Sequence, residues 1–234
     1  AFVGKNGAGK STMAKLLCAF VRPDKGSIEL NGTDIKVLTI KEVGQRIGYV
    51  MQNPNHMIVK HLIKDEVRFA LENQSLSIEQ IDERVEDALK ICGLHSMRNW
   101  PVSAVSYGQR KRITVAAILA LKPDILILDE PTAGQDYAHY SEIMDFLDQL
   151  NKDHGITFIF ITHDMHLAIE YTDRALVFAD GELIADDEIQ AIMANQAIIQ
   201  KANLKQTSLY YLAQACGLAV EPFIRSFIEQ RSQT

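Results

Sequence analysis

A chain of 234 residues, 47% hydrophobic and 23% charged, has the ordinary balance of a soluble domain and enough apolar surface to bury a sizeable core. Its formal net charge of −6 argues against a nucleic-acid binder, which usually carries a basic face. The three cysteines, Cys18, Cys92 and Cys216, lie far apart without metal-ligand spacing, and no run reaches the roughly 18–20 apolar residues that span a bilayer.

The chain opens on Ala1-Phe2-Val3, which reads as the stub of a buried strand. No initiator methionine precedes it, so the expectation is a truncated piece whose further strands lie upstream. Ser11 to Val21 predicts a helix with Met13, Leu16, Leu17 and Phe20 on one face, stopped by Pro23. Ile28 to Leu30, Asn31-Gly32 and the residues after Thr33 predict a tight hairpin, because Asn-Gly tolerates positive φ. Ile47 to Met51 is a short strand. From about Asn53 to Val105 the pattern is helical, and Ser77-Ile78-Glu79-Gln80 fits a capping box ahead of Ile81, Val85, Leu89 and Cys92, with Gly93 as the stop. The expectation is a helical subdomain inserted at about 53–108. A further helix is expected from Gln109 to Leu121.

Ile125 to Leu128 is apolar on both faces, as in a central parallel strand. Tyr137 to Asp153 carries a helical stripe through Tyr140, Ile143, Met144, Leu147 and Leu150. Ile156 to Ile161 predicts a second fully buried strand, and Ala175 to Ala185 a hairpin about Asp180-Gly181. From Asp186 the tail reads as helical and carries no chemical motif. Buried strands alternating with amphipathic helices give an α/β class: a domain over 1–185 and a C-terminal helical extension over 186–234.

Chemistry concentrates in a few places. Gly4-Lys5-Asn6-Gly7-Ala8-Gly9-Lys10-Ser11 matches GxxxxGK[ST] at every fixed position, between a strand stub and a helix. Gly4, Gly7 and Gly9 let the backbone curl so that successive N–H groups, Asn6 included, face phosphate oxygens. The helix that begins with Ser11 and Thr12 offers its positive end to the same anion. Lys10 adds a charge near the terminal phosphates, and the Ser11 hydroxyl is placed to ligate Mg2+. Asp129 and Glu130 follow the buried run at a strand's carboxyl end, where α/β sheets bind ligands. Asp129 suits Mg2+, and Glu130 suits a general base for an attacking water. Gln52 and His163 also follow strands. A lone Gln or His is usually structural or merely exposed, and the shared location is what makes them candidates, Gln52 for metal or water and His163 for a terminal phosphate. Ser106-Tyr107-Gly108-Gln109 precedes a helix and forms a second potential anion site. Two phosphate-binding ends with one glycine-rich loop suggest complementation between two chains.

Together these residues resemble the ABC-type ATPases. Gly4 to Ser11 resembles Walker A, Gln52 the Q-loop glutamine, Val105 to Gln109 the signature, Ile125 to Glu130 Walker B with its glutamate, Ala133 to Asp136 the D-loop, and His163 the switch histidine. Val105 and Tyr107 stand where the general signature has Leu and Gly. The resemblance implies a P-loop NTPase core, RecA-like with a mostly parallel sheet, that binds ATP and Mg2+ and hydrolyses ATP. It also implies a head-to-tail pair in which Ser106, Gly108 and Gln109 act on ATP held by a second such domain, with Asp136 nearby. That second domain could be identical, a paralogue or fused in tandem. The adenine-stacking aromatic of the family would lie upstream of Ala1.

A narrower resemblance is to the ATPase subunits of energy-coupling-factor importers of vitamins and metal ions, carried by Tyr107 with Gln109-Arg110-Lys111-Arg112, by Gln52-Asn53-Pro54 with Ile58-Val59, and by Asp129 to Gly134. The tail around Leu209 to Leu218 is similar to the extra C-terminal helices of that group. Met57 stands where the group often has glutamine. The resemblance implies work with a transmembrane partner at the cytoplasmic face of the membrane. The competing readings are a soluble ABC ATPase acting on DNA or ribosomes, and a nucleotide-dependent scaffold without turnover.

Overall fold

The computed structural model describes residues 1–133 and 137–231; the side chains of 137–140 and 231 are outside it. In chain order its strands and α-helices are β1 (Phe2–Val3), α1 (Lys10–Leu17), β2 (Glu29–Leu30), β3 (Thr33–Asp34), α2 (Ile40–Gly44), β4 (Ile47–Val50), α3 (Ile63–Phe69), α4 (Ile78–Ile91), α5 (Tyr107–Leu119), β5 (Ile125–Asp129), α6 (Tyr137–His154), β6 (Thr157–Thr162), α7 (Met165–Tyr171), β7 (Arg174–Ala179), β8 (Glu182–Glu188), α8 (Ile189–Ala194), α9 (Gln196–Lys201), α10 (Ser208–Ala215) and α11 (Val220–Arg231). The chain forms two compact units, Ala1–Ala14 with Ile159–Thr234, and Lys15–Phe158.

In the first unit β1 lies between β6 and β7, parallel to both, with Val3 opposite Thr162 and Val177. β8 returns antiparallel to β7 through Asp180 and Gly181, both at positive φ (49° and 85°). The expected hairpin is therefore present, and its second strand runs three residues further than Ala185. Val3, Ala175, Val177, Met165, Ile169, Ile189, Ile192 and Ile224 form a continuous buried cluster, so the C-terminal helices share a core with the strands. This is the α/β arrangement expected, with parallel strands inside and an antiparallel strand at one side.

The second unit pairs β4 with β5 in parallel, Ile47 against Ile125 through Val50 against Leu128. Their register aligns both carboxyl ends. Leu126, Ile127 and Leu128 are all but inaccessible, as a strand apolar on both faces requires. β2 and β3 form the small antiparallel hairpin, with Asn31 and Gly32 at φ of 51° and 77°. Ser77 caps α4 in a complete capping box with Gln80, and Gly93 follows the helix at φ 69°.

Three expectations change. The first helix stops at Leu17 rather than Val21: Ala19 takes φ 57°, and the amides of Ala19 and Phe20 close back onto Leu16 and Lys15 carbonyls. The helix before Pro123 spans Tyr107–Leu119 and so begins two residues earlier than Gln109, because Ser106 caps it. The strand near Ile156 is exposed at Thr157 and buried only over Phe160, Ile161 and Thr162.

Gly48 in β4 has no pattern that marks it. A Cβ there would sit 2.2 Å from the Ile118 side chain of α5 and 2.7 Å from that of Leu126. The missing side chain lets the helix lie directly on the strand. Gly48→Ala is expected to destabilise the protein by about 1–3 kcal/mol through overpacking, read as a lower urea midpoint with an unchanged slope.

Candidate functional site

In the first unit, β1 delivers the chain into the loop Gly4–Gly9 and then into α1. Gly4 has φ 146°, and a Cβ on it would stand 2.2 Å from the backbone carbonyl oxygen of Phe178 in β7. Only glycine lets the loop leave the strand here. The Lys10 ammonium folds back into the loop, donating to the Gly4 carbonyl at 2.6 Å and the Lys5 carbonyl at 3.1 Å. Lys10 is buried, while Asn6, Gly7, Ser11 and Thr12 are exposed. The β7–β8 turn supports the loop from behind: the Gly181 amide donates to the Ala8 carbonyl at 3.3 Å, and Lys5 pairs with Asp180 at 2.6 Å. This pair holds the Asp180 carboxyl below its ordinary pKa.

His163 leaves β6 next to Thr162, which is in register with Val3, the residue before Gly4. The register thus brings His163 to the same strand ends as the loop. Its side chain is exposed, and Asp164 after it caps α7 by accepting from the amides of His166 and Leu167.

In the second unit, the register of β4 and β5 puts Gln52, two residues past Val50, at the same strand ends as Asp129 and Glu130, which follow Leu128. The Tyr49 hydroxyl donates to Asp129 Oδ2 at 2.6 Å. Burial, and then this bond, push the Tyr49 phenol well above its usual pKa, so it stays a donor. Glu130 has φ 44°, a left-handed conformation that costs a non-glycine residue energy and tends to persist where side-chain aim matters. Gln52 is exposed.

Lys111, on α5, is only 3% exposed, and its ammonium donates to the Met51 carbonyl at 3.1 Å. Burial lowers its pKa from 10.5 to about 8, while the charges of Asp129 and Glu130 pull the other way. At the start of the same helix Ser106 Oγ accepts from the Gln109 amide at 3.2 Å, and Gln109 Oε1 accepts from the Ser106 amide at 2.9 Å. The Gln109 side chain is thus engaged in the helix cap. Space remains at Gly108, where an added Cβ would have nothing nearer than 4.0 Å. Asp136, the remaining candidate, lies outside the described residues.

Tyr49, Lys111 and Asp180 were not visible as site residues in the sequence. Tyr49 occupies an ordinary strand position, and Lys111 entered only within the run Gln109–Arg112 that carries the narrower resemblance, without a role of its own. One signal was present: at helical spacing Lys111 shares a face with Thr114, Val115 and Ile118, none of them charged.

In the first unit a buried ammonium lies inside the glycine loop and Ser11 and Thr12 are exposed after it, a set that suits a phosphate. In the second unit the Asp129 carboxylate and the Gln52 amide are oxygen donors of the kind a hard metal ion takes.

The family model described as ABC transporter matches residues 1–133. A Clostridium perfringens (strain 13 / Type A) protein named as an ABC transporter ATP-binding protein is 55% identical over 228 residues, covering 97% of this chain and 40% of the relative. A similarly named protein of Vibrio vulnificus (strain YJ016) is 50% identical, again over 97% of this chain and 40% of the relative. The chain thus spans about two fifths of the length of the curated relatives it matches. Among solved structures, CbiO1 from Clostridium perfringens, described as part of the ABC transporter complex CbiONQ, aligns with a TM-score of 0.78 and 32% identity over 93% of this chain and 86% of that one. An ATP-binding cassette solved as a dimer in a post-hydrolysis state, bound to ADP and Pi, aligns with a TM-score of 0.66 and 27% identity, covering 80% of this chain and 84% of that one.

The Lys111 environment has a pH signature. The unfolded chain keeps this proton up to about pH 10.5 and the folded chain only up to about pH 8. The burial penalty is therefore complete below about pH 8 and fades as the pH rises through that window. The stability of the parent minus that of Lys111→Met should climb between those pH values in urea titrations at stepped pH; a constant difference would contradict a buried ammonium.

Proposed function

Because this chain belongs to the ABC transporter family of ATP-binding domains, we propose that it binds Mg-ATP and hydrolyses it to drive a transport complex. The observation that carries this reading is the glycine loop itself, with Gly4 pressed on the Phe178 carbonyl and the Lys10 ammonium held inside the curl. In this reading Lys10 exchanges its bonds to the Gly4 and Lys5 carbonyls for phosphate oxygens, and the amides of Asn6, Gly7, Gly9, Lys10, Ser11 and Thr12 orient the same group.

Ser11, Asp129 and Gln52 would hold Mg2+, which would supply charge neutralisation at the phosphates. Tyr49 fixes the orientation of Asp129 by its hydrogen bond. Glu130, held in a left-handed backbone conformation just after β5, accepts a proton from the attacking water. Gln52 orients that water, and His163, exposed at the end of β6, donates to a phosphate oxygen. Ser106, Gly108, Gln109 and Asp136 act on nucleotide held by a second domain of this kind, a role that fits the dimer in which a similar cassette was solved.

The finer assignment is an energy-coupling-factor importer of a vitamin or metal ion, working through a transmembrane partner at the cytoplasmic face of the membrane. It is supported by the likeness to CbiO1 over most of both chains and by the residues Tyr107 to Arg112. None of the helices searched among the described residues is long and apolar enough to cross a membrane. We assign 1–185 to the nucleotide-binding domain, with a helical subdomain at about 53–108, and 186–234 to the extension.

Two substitutions test the reading in the full-length protein. Glu130→Gln should retain ATP binding and lose about 100-fold or more in hydrolysis rate, the scale of a missing general base; an unchanged rate would remove Glu130 from the mechanism. Lys10→Ala should weaken ATP affinity about tenfold or more, the scale of a charge-assisted hydrogen bond, and equal affinity by equilibrium dialysis would sink its assignment.

A further inference from the structure

Segment 51–58, which carries Gln52, is closed upon itself. Met51 donates its amide to Met57 Sδ at 3.2 Å. Asn53 Oδ1 accepts from the Asn55 amide at 3.0 Å, and the Pro54 carbonyl accepts from Met57 and Ile58. These bonds tie it into a small unit rather than a string of independent residues. What holds that unit comes from α5. The Lys111 ammonium reaches the Met51 carbonyl at 3.1 Å, the Tyr107 hydroxyl the Gln52 carbonyl at 3.3 Å, and Arg110 Nη1 reaches Asn55 Oδ1 at 3.2 Å.

We propose that Tyr107, Arg110 and Lys111 form a latch which ties segment 51–58 to the first turns of α5, so that Gln52 and Ser106 are displaced together within one chain. These three are positioning residues. The inference rests on the proposed ATPase reading for its consequence: if Gln52 serves the chain's own nucleotide and Ser106 the nucleotide of a second domain, the latch passes a displacement at one site to the other. The helix supports this transmission, because its first turn is rigidly closed by the reciprocal cap of Ser106 and Gln109.

The three contacts are not equivalent. Lys111 is buried, and an ammonium is retained inside a protein only against partners that repay its desolvation. Here those are a carbonyl and the nearby charges of Asp129 and Glu130. Tyr107 is 38% exposed, so water can replace the Gln52 carbonyl as the partner of its hydroxyl when the bond opens. The latch thus has a fixed pin and a releasable one, both on Gln52 or its immediate neighbour.

Hydrogen–deuterium exchange on the full-length, nucleotide-free protein tests the latch without reference to catalysis. Tyr107→Phe, which removes one oxygen atom, and Lys111→Met should each speed exchange at residues 52–58 about fivefold, the scale of one lost hydrogen bond, while residues 113–119 keep their protection. Lys111→Arg should restore it. In steady-state hydrolysis Tyr107→Phe should lower kcat severalfold with ATP KM changed less than twofold. Unchanged exchange at 52–58 in both variants overturns the latch, as does a rise spread equally over α5 and β5. If the parent protein does not hydrolyse ATP, the functional reading fails while the exchange measurement still decides whether the latch exists.

Discussion

The contact between Gly4 and the Phe178 carbonyl is the constraint on which the phosphate loop depends. A strand pressed between two parallel neighbours can end in a tight curl only if its last residue clears the backbone beside it, and a Cβ at this position would be 2.2 Å from that oxygen. With the strand end settled, the loop amides, the Lys10 ammonium and the start of α1 follow from covalent connection. The β7–β8 turn then closes on the loop through Gly181 and Asp180. One close approach thus couples a functional loop to a hairpin more than 170 residues away in sequence.

Two buried ammonium groups show how charge is managed in each unit. Lys10 donates to loop carbonyls, ligands weak enough to be exchanged for phosphate oxygens. Lys111 faces a carbonyl and the field of two carboxylates, and it is almost wholly buried. The first arrangement suits a group that must change partners. The second suits a group that stays in place and holds others.

The motifs were legible because each is local. A glycine pattern before a helix, a capping box, an Asn-Gly turn and an acid after four apolar residues are set by backbone preferences over fewer than ten residues. All appear where the pattern put them, at Gly4–Ser11, Ser77–Gln80, Asn31-Gly32 and Asp129. Helix ends were less legible. The turn-out at Ala19 needs a left-handed alanine that no propensity favours, and the start of α5 depended on a side-chain cap by Ser106.

From the order of its residues alone, this protein's α/β class, its family and its list of candidate groups could be determined, since these rest on local chemistry and spacing. Register and packing were decided only in three dimensions. The pairing of Val50 with Leu128 brings Gln52 and Asp129 to the same end of the paired strands, and that of Val3 with Thr162 brings His163 to the strand ends where the glycine loop begins. Tyr49 and Lys111 gained partners through contacts 80 and 60 residues apart. No local pattern encodes such contacts, because the energy that selects them comes from burying strands and helices against each other.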